Sequence, residues 1–179
     1  MRIGMVISGG DVTGINNFVF QISRMTQADM VLFNGGIPGL LENRHQEITQ
    51  RDLVDYAITA IPVMQSGRTT RKLIRPEYEM IAKQLKSLRI DVLIMAGGDG
   101  SLQFLHTLSE FGVNCFGVGM TIDNDVFGSD YTIGFSTACV QVLQEVSKLR
   151  NTGRALTGRV SIVVLLGGHC GESTLQSAT

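Results

Sequence analysis

The chain has no excess of charge of either sign. Lys+Arg number 15 against Asp+Glu 16, a net charge of −1. A surface so balanced lacks the cationic surplus that binding to nucleic acid or an anionic membrane requires. Long apolar runs are missing too, because VISGGD, VLIMAGGDG and IVVLLGGHCG are each cut by glycine before they reach membrane-spanning length. The opening MRIGMVISGG has one arginine and too short an apolar stretch for a secretory signal, and reads as a buried first strand. Cysteine is scarce: Cys115, Cys139 and Cys170 stand in apolar contexts without metal-ligand spacing. They are expected to be reduced core thiols, which points to the cytoplasm. His45, His106 and His169 are scattered, with His106 on an exposed helix face. No Ser/His/Asp or Cys/His set emerges from spacing, and there is no low-complexity linker or fixed repeat.

What is present is apolar residue in short blocks. Hydrophobic residues make up 44% of 179, and the mean hydropathy is +0.18, enough for one domain with a sizeable core. RIGMVIS precedes GGDVTG, VLIMA precedes GGDGS, NCFGVG precedes MTIDND, and RVSIVVLL precedes GGHCGE. ADMVLF before NGGIPG is a weaker fifth case. Between them lie stretches of helical spacing. Tyr78, Ile81, Ala82, Leu85 and Leu88 share a face behind Pro76, and Cys139, Val142, Leu143, Val146 and Leu149 do so between Ser136 and Leu149. Near-continuous apolar strands alternating with helices predict a doubly wound, mostly parallel α/β sheet covered on both faces. Ligands of such sheets bind at the carboxyl ends of the strands, where the glycine turns fall. The last stretch, GESTLQSAT, starts a helix too short to stand alone, so the chain is expected to end inside a larger fold.

Three segments carry chemistry. GGDGS (97–101) follows a strand and opens a helix, so its backbone N–H groups can approach a phosphate, and Asp99 offers an oxygen of the kind Mg²⁺ prefers. A tight turn capped by Asp or Ser fits the same five residues. SGGDVTG (8–14) repeats the arrangement after the first strand. QSGRTTRK (65–72) brings Arg68, Arg71 and Lys72 together, either as a solvated basic loop or as a clamp on a transferring phosphoryl group. TIDND (121–125) sets Asp123 and Asp125 on either side of an asparagine. One carboxylate can take a proton from a hydroxyl and the other can support a metal. An Asx-rich turn is the alternative.

Taken together, SGGDVTGIN, GGDGS and above all TIDNDVFGSDYTIGFSTA resemble the phosphofructokinase family, along the whole of residues 1–179. The resemblance implies a phosphofructokinase-like fold. Residues 1–135 would form a nucleotide-binding lobe and residues 136–179 the start of a sugar-phosphate-binding lobe that family members complete downstream. It implies transfer of the γ-phosphoryl of Mg-ATP to the 1-hydroxyl of fructose 6-phosphate in glycolysis. Asp123 would be the base, with Arg68 and Thr121 beside it in catalysis. Gly10, Arg68, Thr69, Gly98, Asp99, Gly100 and Ser101 would bind ATP, and Asp99 and Asp125 would attend Mg²⁺. Thr121, Ile122, Asp123, Arg159, Leu166, Gly167 and Gly168 would line the sugar-phosphate site. Arg159 would reach it from a neighbouring subunit of a homo-oligomer, expected to be a tetramer. The fragment by itself would be inactive.

The chain also departs from the family pattern. Gly100, together with Met120 in place of a lysine, favours ATP over pyrophosphate, although Gly119-Met120 replaces the Pro-Gly of ATP-type members. Gly168 stands where the family triplet has an arginine, and glycine supplies no bidentate cation. Phe20 replaces a cation of the effector site, while Arg24 and Arg150 match other arginines there. TAIPVMQSGR replaces a glycine-rich approach to the basic loop. A weakened sugar-phosphate binder or regulatory paralogue, or a kinase of another small molecule, are the rival expectations.

Overall fold

A computed structural model describes residues 1–10, 12–59, 61–69, 71–167 and 170–178. Seven helices and six strands run in chain order through it: β1 (Arg2–Ser8), α1 (Ile15–Thr26), β2 (Asp29–Phe33), α2 (Gly36–Leu41), β3 (His45–Ile48), α3 (Gln50–Ala57), α4 (Arg75–Ser87), β4 (Val92–Gly97), α5 (Asp99–Ser109), β5 (Cys115–Thr121), β6 (Ile133–Gly134), α6 (Phe135–Ala155) and α7 (Glu172–Ala178). The sheet order is β3-β2-β1-β4-β5-β6, and every pairing is parallel except β2 with β3. The doubly wound α/β expectation is met, with an antiparallel edge strand that no apolar run announced. HQEI is polar and half exposed, as an edge allows.

Both faces of the sheet are covered, which is why its strands read as unbroken apolar runs. On one face Ile3, Met5 and Ile7 of β1 meet Ile15 and Val19 of α1 and Leu53 of α3. On the other, Val6, Leu93 and Met95 meet Ile37 and Leu40 of α2, Ile81 and Leu85 of α4, and Phe104 and Leu108 of α5. The chain moves from β1 outward to β2 on one side and returns to β4 on the other. The switch in direction therefore opens a crevice between the carboxyl ends of β1 and β4, where Ser8 pairs with Gly97.

Two expectations change beyond residue 135. The helix expected to end at Leu149 continues to Ala155, and of its predicted stripe only Cys139 is buried, while Leu143 and Leu149 are exposed. RVSIVVLL was expected to be a strand, but residues 159–166 form none. Val160, Ile162 and Val164 are each 88% exposed. Strand propensity reflects packing on a pleated surface. Among the described residues no neighbouring strand offers that surface to this segment, so its side chains stay in solvent.

Candidate phosphoryl-transfer site

The crevice is assembled from backbone first. Gly97 must be glycine, because a Cβ there would fall 2.5 Å from the Ser8 carbonyl and 2.7 Å from the Ser101 side chain. That closeness joins the first phosphate loop to the second. Ser101 is buried, with its hydroxyl donating to the Ser8 carbonyl (3.4 Å) and its N–H to the Gly98 carbonyl (3.0 Å). Its groups therefore hold the loop together. Gly98 caps α5, and Asp99 and Gly100 lie exposed in the first turn. A Cβ at Gly100 would meet nothing within 4 Å. The Asp99 carboxylate accepts one hydrogen bond, from Gln103 Nε2 (2.6 Å), which leaves its other oxygen without a protein donor among the described residues.

The basic loop is carried into the crevice by amides that sequence reasoning passed over. Asn16 Nδ2 faces the carbonyls of Tyr56 (3.0 Å), Thr59 (3.0 Å) and Ile61 (2.7 Å), while its Oδ1 accepts the Val63 N–H at 2.9 Å. Asn34 Oδ1 accepts the Gln65 N–H (3.0 Å), and the Gly35 N–H donates to the Gln65 carbonyl (2.8 Å). Val63 and Met64 anchor the same segment in the core. Gly67 then pairs alongside Ser8, its carbonyl accepting the Gly9 N–H at 3.1 Å. This docking delivers Arg68 to Gly10: a Cβ on Gly10 would lie 3.1 Å from Arg68 Nη2. Thr69 beside it is exposed, its hydroxyl donating to the Arg71 carbonyl (3.3 Å). Arg71 turns away to pair with Glu77 at the start of α4, so it is Arg68, not Arg71, that meets Gly10.

TIDND follows β5, and its middle residue explains its shape. Asn124 is left-handed (φ 55°), a conformation asparagine tolerates. Asn124 Oδ1 accepts the Thr132 N–H at 2.8 Å. The buried Thr132 hydroxyl donates to the Thr121 carbonyl at 2.8 Å. The Asp123 N–H donates to the Thr121 hydroxyl (3.2 Å). From the other side, the buried Ser173 hydroxyl donates to the Ile122 carbonyl (2.7 Å) and the Cys170 thiol to the Asp123 carbonyl (3.1 Å). The backbone of the loop is thus held from both flanks while the Asp123 carboxyl is left to the crevice. Burial raises the pKa of Asp123, the neighbouring Asp125 carboxylate raises it further, and Arg68 pulls it back down. Arg68 is therefore felt by Asp123 as well as seated on Gly10.

The remaining predicted residues are not drawn into this cluster. Arg159 is exposed and makes no ion pair among the described residues, and Leu166 is 79% exposed. Gly167 connects indirectly, its carbonyl accepting the N–H of Cys170 (2.7 Å). Gly168 and His169 lie outside the described residues. Asp125 is exposed, and among the described residues no three His, Cys, Asp or Glu side chains gather as a closed metal cage. Mg²⁺ does not need one, since it is commonly held by one or two carboxylates together with substrate phosphates. The single unpartnered Asp99 oxygen fits that mode. Asn16, Asn34, Thr132 and Ser173 are the supporting residues missed from sequence. Their only signal is their type, a small polar side chain beside an apolar run.

Glycine loops, one arginine and the Asp99 and Asp123 carboxylates stand at the carboxyl ends of the strands of a doubly wound α/β sheet, where such sheets bind their ligands. The phosphofructokinase family model matches residues 2–179, and the chain belongs to that family. It is 34% identical to the ATP-dependent 6-phosphofructokinase of Pectobacterium carotovorum over 99% of this chain and 56% of that protein. It is 37% identical to the enzyme of the same name from Teredinibacter turnerae, with the same coverage. The chain thus spans little more than half the length of these relatives. In fold it matches phosphofructokinase from Saccharomyces cerevisiae with a TM-score of 0.89 at 24% identity, over 99% of this chain and 27% of that one. It matches a pyrophosphate-dependent phosphofructokinase from Nitrosospira multiformis at 0.70 and 19%, over 84% of this chain and 42% of that one. Among the described residues no helix is long and apolar enough to cross a membrane.

Proposed function

We propose that these residues serve transfer of the γ-phosphoryl of ATP to the 1-hydroxyl of fructose 6-phosphate. The observation that carries this is the position of Arg68, on Gly10 of the donor loop and within electrostatic reach of Asp123. One cation there would neutralise charge on the transferring group beside the group that takes the acceptor's proton. Asp123 would accept the 1-hydroxyl proton as that oxygen forms its bond to the γ-phosphorus. The bond to the bridging oxygen breaks, and ADP leaves. Mg²⁺, held by Asp99 with Asp125 nearby, would supply charge neutralisation on the donor phosphates. Thr121 and Ile122 would position Asp123, and Thr69, Gly98 and Gly100 would complete the donor loop. Arg159, Leu166, Gly167 and Gly168 would belong to the sugar-phosphate side, in residues 136–179, as part of a cytoplasmic homo-oligomer.

ATP is the proposed donor because Gly100 leaves open space in the first turn of α5. Gly100→Asp is expected to weaken ATP use with little effect on folding, since the new side chain meets no neighbour but adds charge against a phosphate. ATP affinity and the melting temperature of the variant check this, and unchanged ATP affinity would count against ATP. The overall reading is tested by ADP release on addition of fructose 6-phosphate to the protein extended to its relatives' length. Fructose 6-phosphate binding without ADP release would instead establish the non-catalytic reading suggested by Gly168.

A further inference from the structure

A second cleft, of about 540 Å³, lies at the opposite end of the sheet, beside the amino ends of β4 and β5. Its volume falls within the ordinary range of small-molecule sites. Its apolar wall is made by Ala82 and Leu85 of α4, Ile90 before β4, and Phe111 and Val113 after α5. Four charged residues stand around it, and they are not equivalent. Asp91 is already engaged, Oδ2 accepting the Arg2 N–H at 2.7 Å. Glu79 is engaged as well, pairing with Arg75 at 3.1 Å. Lys83 and Lys86, one helical turn apart on α4, make no ion pair among the described residues. With Glu79 offset by Arg75, two lysines stand against the single Asp91 carboxylate, so the balance of charge at the cleft is positive, set against an apolar wall.

We propose that this cleft binds an anionic amphiphile, an apolar chain or ring bearing one carboxylate or phosphate. The body lies on Leu85, Ile90 and Val113, and the acid group is held between Lys83 and Lys86. Such a site is separate from the crevice at the strand carboxyl ends and does not depend on what that crevice does.

Backbone amide NMR of the chain with octanoate, octyl phosphate, 1-octanol and inorganic phosphate tests it. Octanoate or octyl phosphate is expected to give saturable shifts confined to residues 79–91 and 111–114, and the tighter of the two identifies the headgroup. Octanol, lacking charge, should bind roughly tenfold more weakly, and inorganic phosphate should leave those amides unmoved. Lys83→Gln with Lys86→Gln should weaken the acid roughly tenfold. Both side chains are exposed, so the fold is not at risk. Equal binding of octanol, indifference to the double substitution, or shifts centred on the exposed apolar residues 140–166 would each overturn the proposal.

Discussion

Asp123 carries a cost that its proposed role explains. Its pKa is raised above the ordinary 3.8 by burial first and Asp125 second, against the pull of Arg68. A carboxyl whose folded pKa exceeds its unfolded value favours folding below the unfolded pKa, and that contribution is lost as pH rises through the folded value. At neutral pH the ionised side chain therefore works against stability. In the protein extended to its relatives' length, Asp123→Asn is expected to leave the melting temperature unchanged or slightly higher at pH 7, while kcat falls by roughly 10²–10⁴-fold, the usual worth of a placed proton acceptor. Asp99→Asn should differ by raising the magnesium concentration needed for half-maximal rate, and a magnesium titration of both variants separates the two. The same electrostatics set the acid limb of the rate profile. In the proposed role Asp123 must be ionised to act, so the limb should lie above 3.8. It should move to lower pH in Asp125→Asn, where one repelling charge is gone, and to higher pH in Arg68→Gln. A limb that stays in place in both variants would mean that another group governs it.

The glycine loops depend on the segment between α3 and α4, whose described residues form no helix or strand. Asn16 satisfies that segment by facing three carbonyls and accepting one N–H, and through it α1 fixes where Arg68 arrives. Removing the amide leaves the part-buried Tyr56 carbonyl and Val63 N–H without that partner, at about 1–3 kcal/mol for a buried unsatisfied group, while the exposed Thr59 and Ile61 carbonyls turn to water. Asn16→Ala should lower stability within that range and raise the KM for the phosphoryl donor more than it lowers kcat, because Arg68 is displaced and not removed. Denaturant melts with donor-dependent kinetics read both effects. Loss of stability with an unaltered KM would show that the loop is placed by Val63 and Met64 alone. The strands and helices around the crevice were legible in the sequence, since glycine ended each apolar run and Pro76 marked the start of α4. The docking of residues 61–67 was not. Its hydrogen bonds join Asn16 and Asn34 to partners 31 to 47 positions away in the chain, and an asparagine's partners leave no periodic trace.

Across the whole molecule, legibility divides near Phe135. Before it, apolar periodicity matched burial because sheet and helices cover each other on both faces. After it, the same residue types misled: a stripe on α6 is half exposed, and residues 159–166 look like a buried strand yet stand in solvent. Periodicity reports what a segment is able to bury, not whether a partner surface is present. A large exposed apolar patch favours association, and Ile162 and Val164, like Val160, stand at 88% exposure. Ile162→Lys with Val164→Lys is therefore expected to reduce the binding of an apolar dye by the chain. It should also lower any concentration-dependent increase in its hydrodynamic radius. The melting temperature should hold, because exposed substitutions away from packed features usually shift stability by no more than about 0.5 kcal/mol. Dye fluorescence, light scattering over a concentration series and a thermal melt measure the three quantities on the same samples. A marked drop in melting temperature would mean that these side chains pack against the rest of the chain in solution, and that the strand anticipated from the sequence forms there after all.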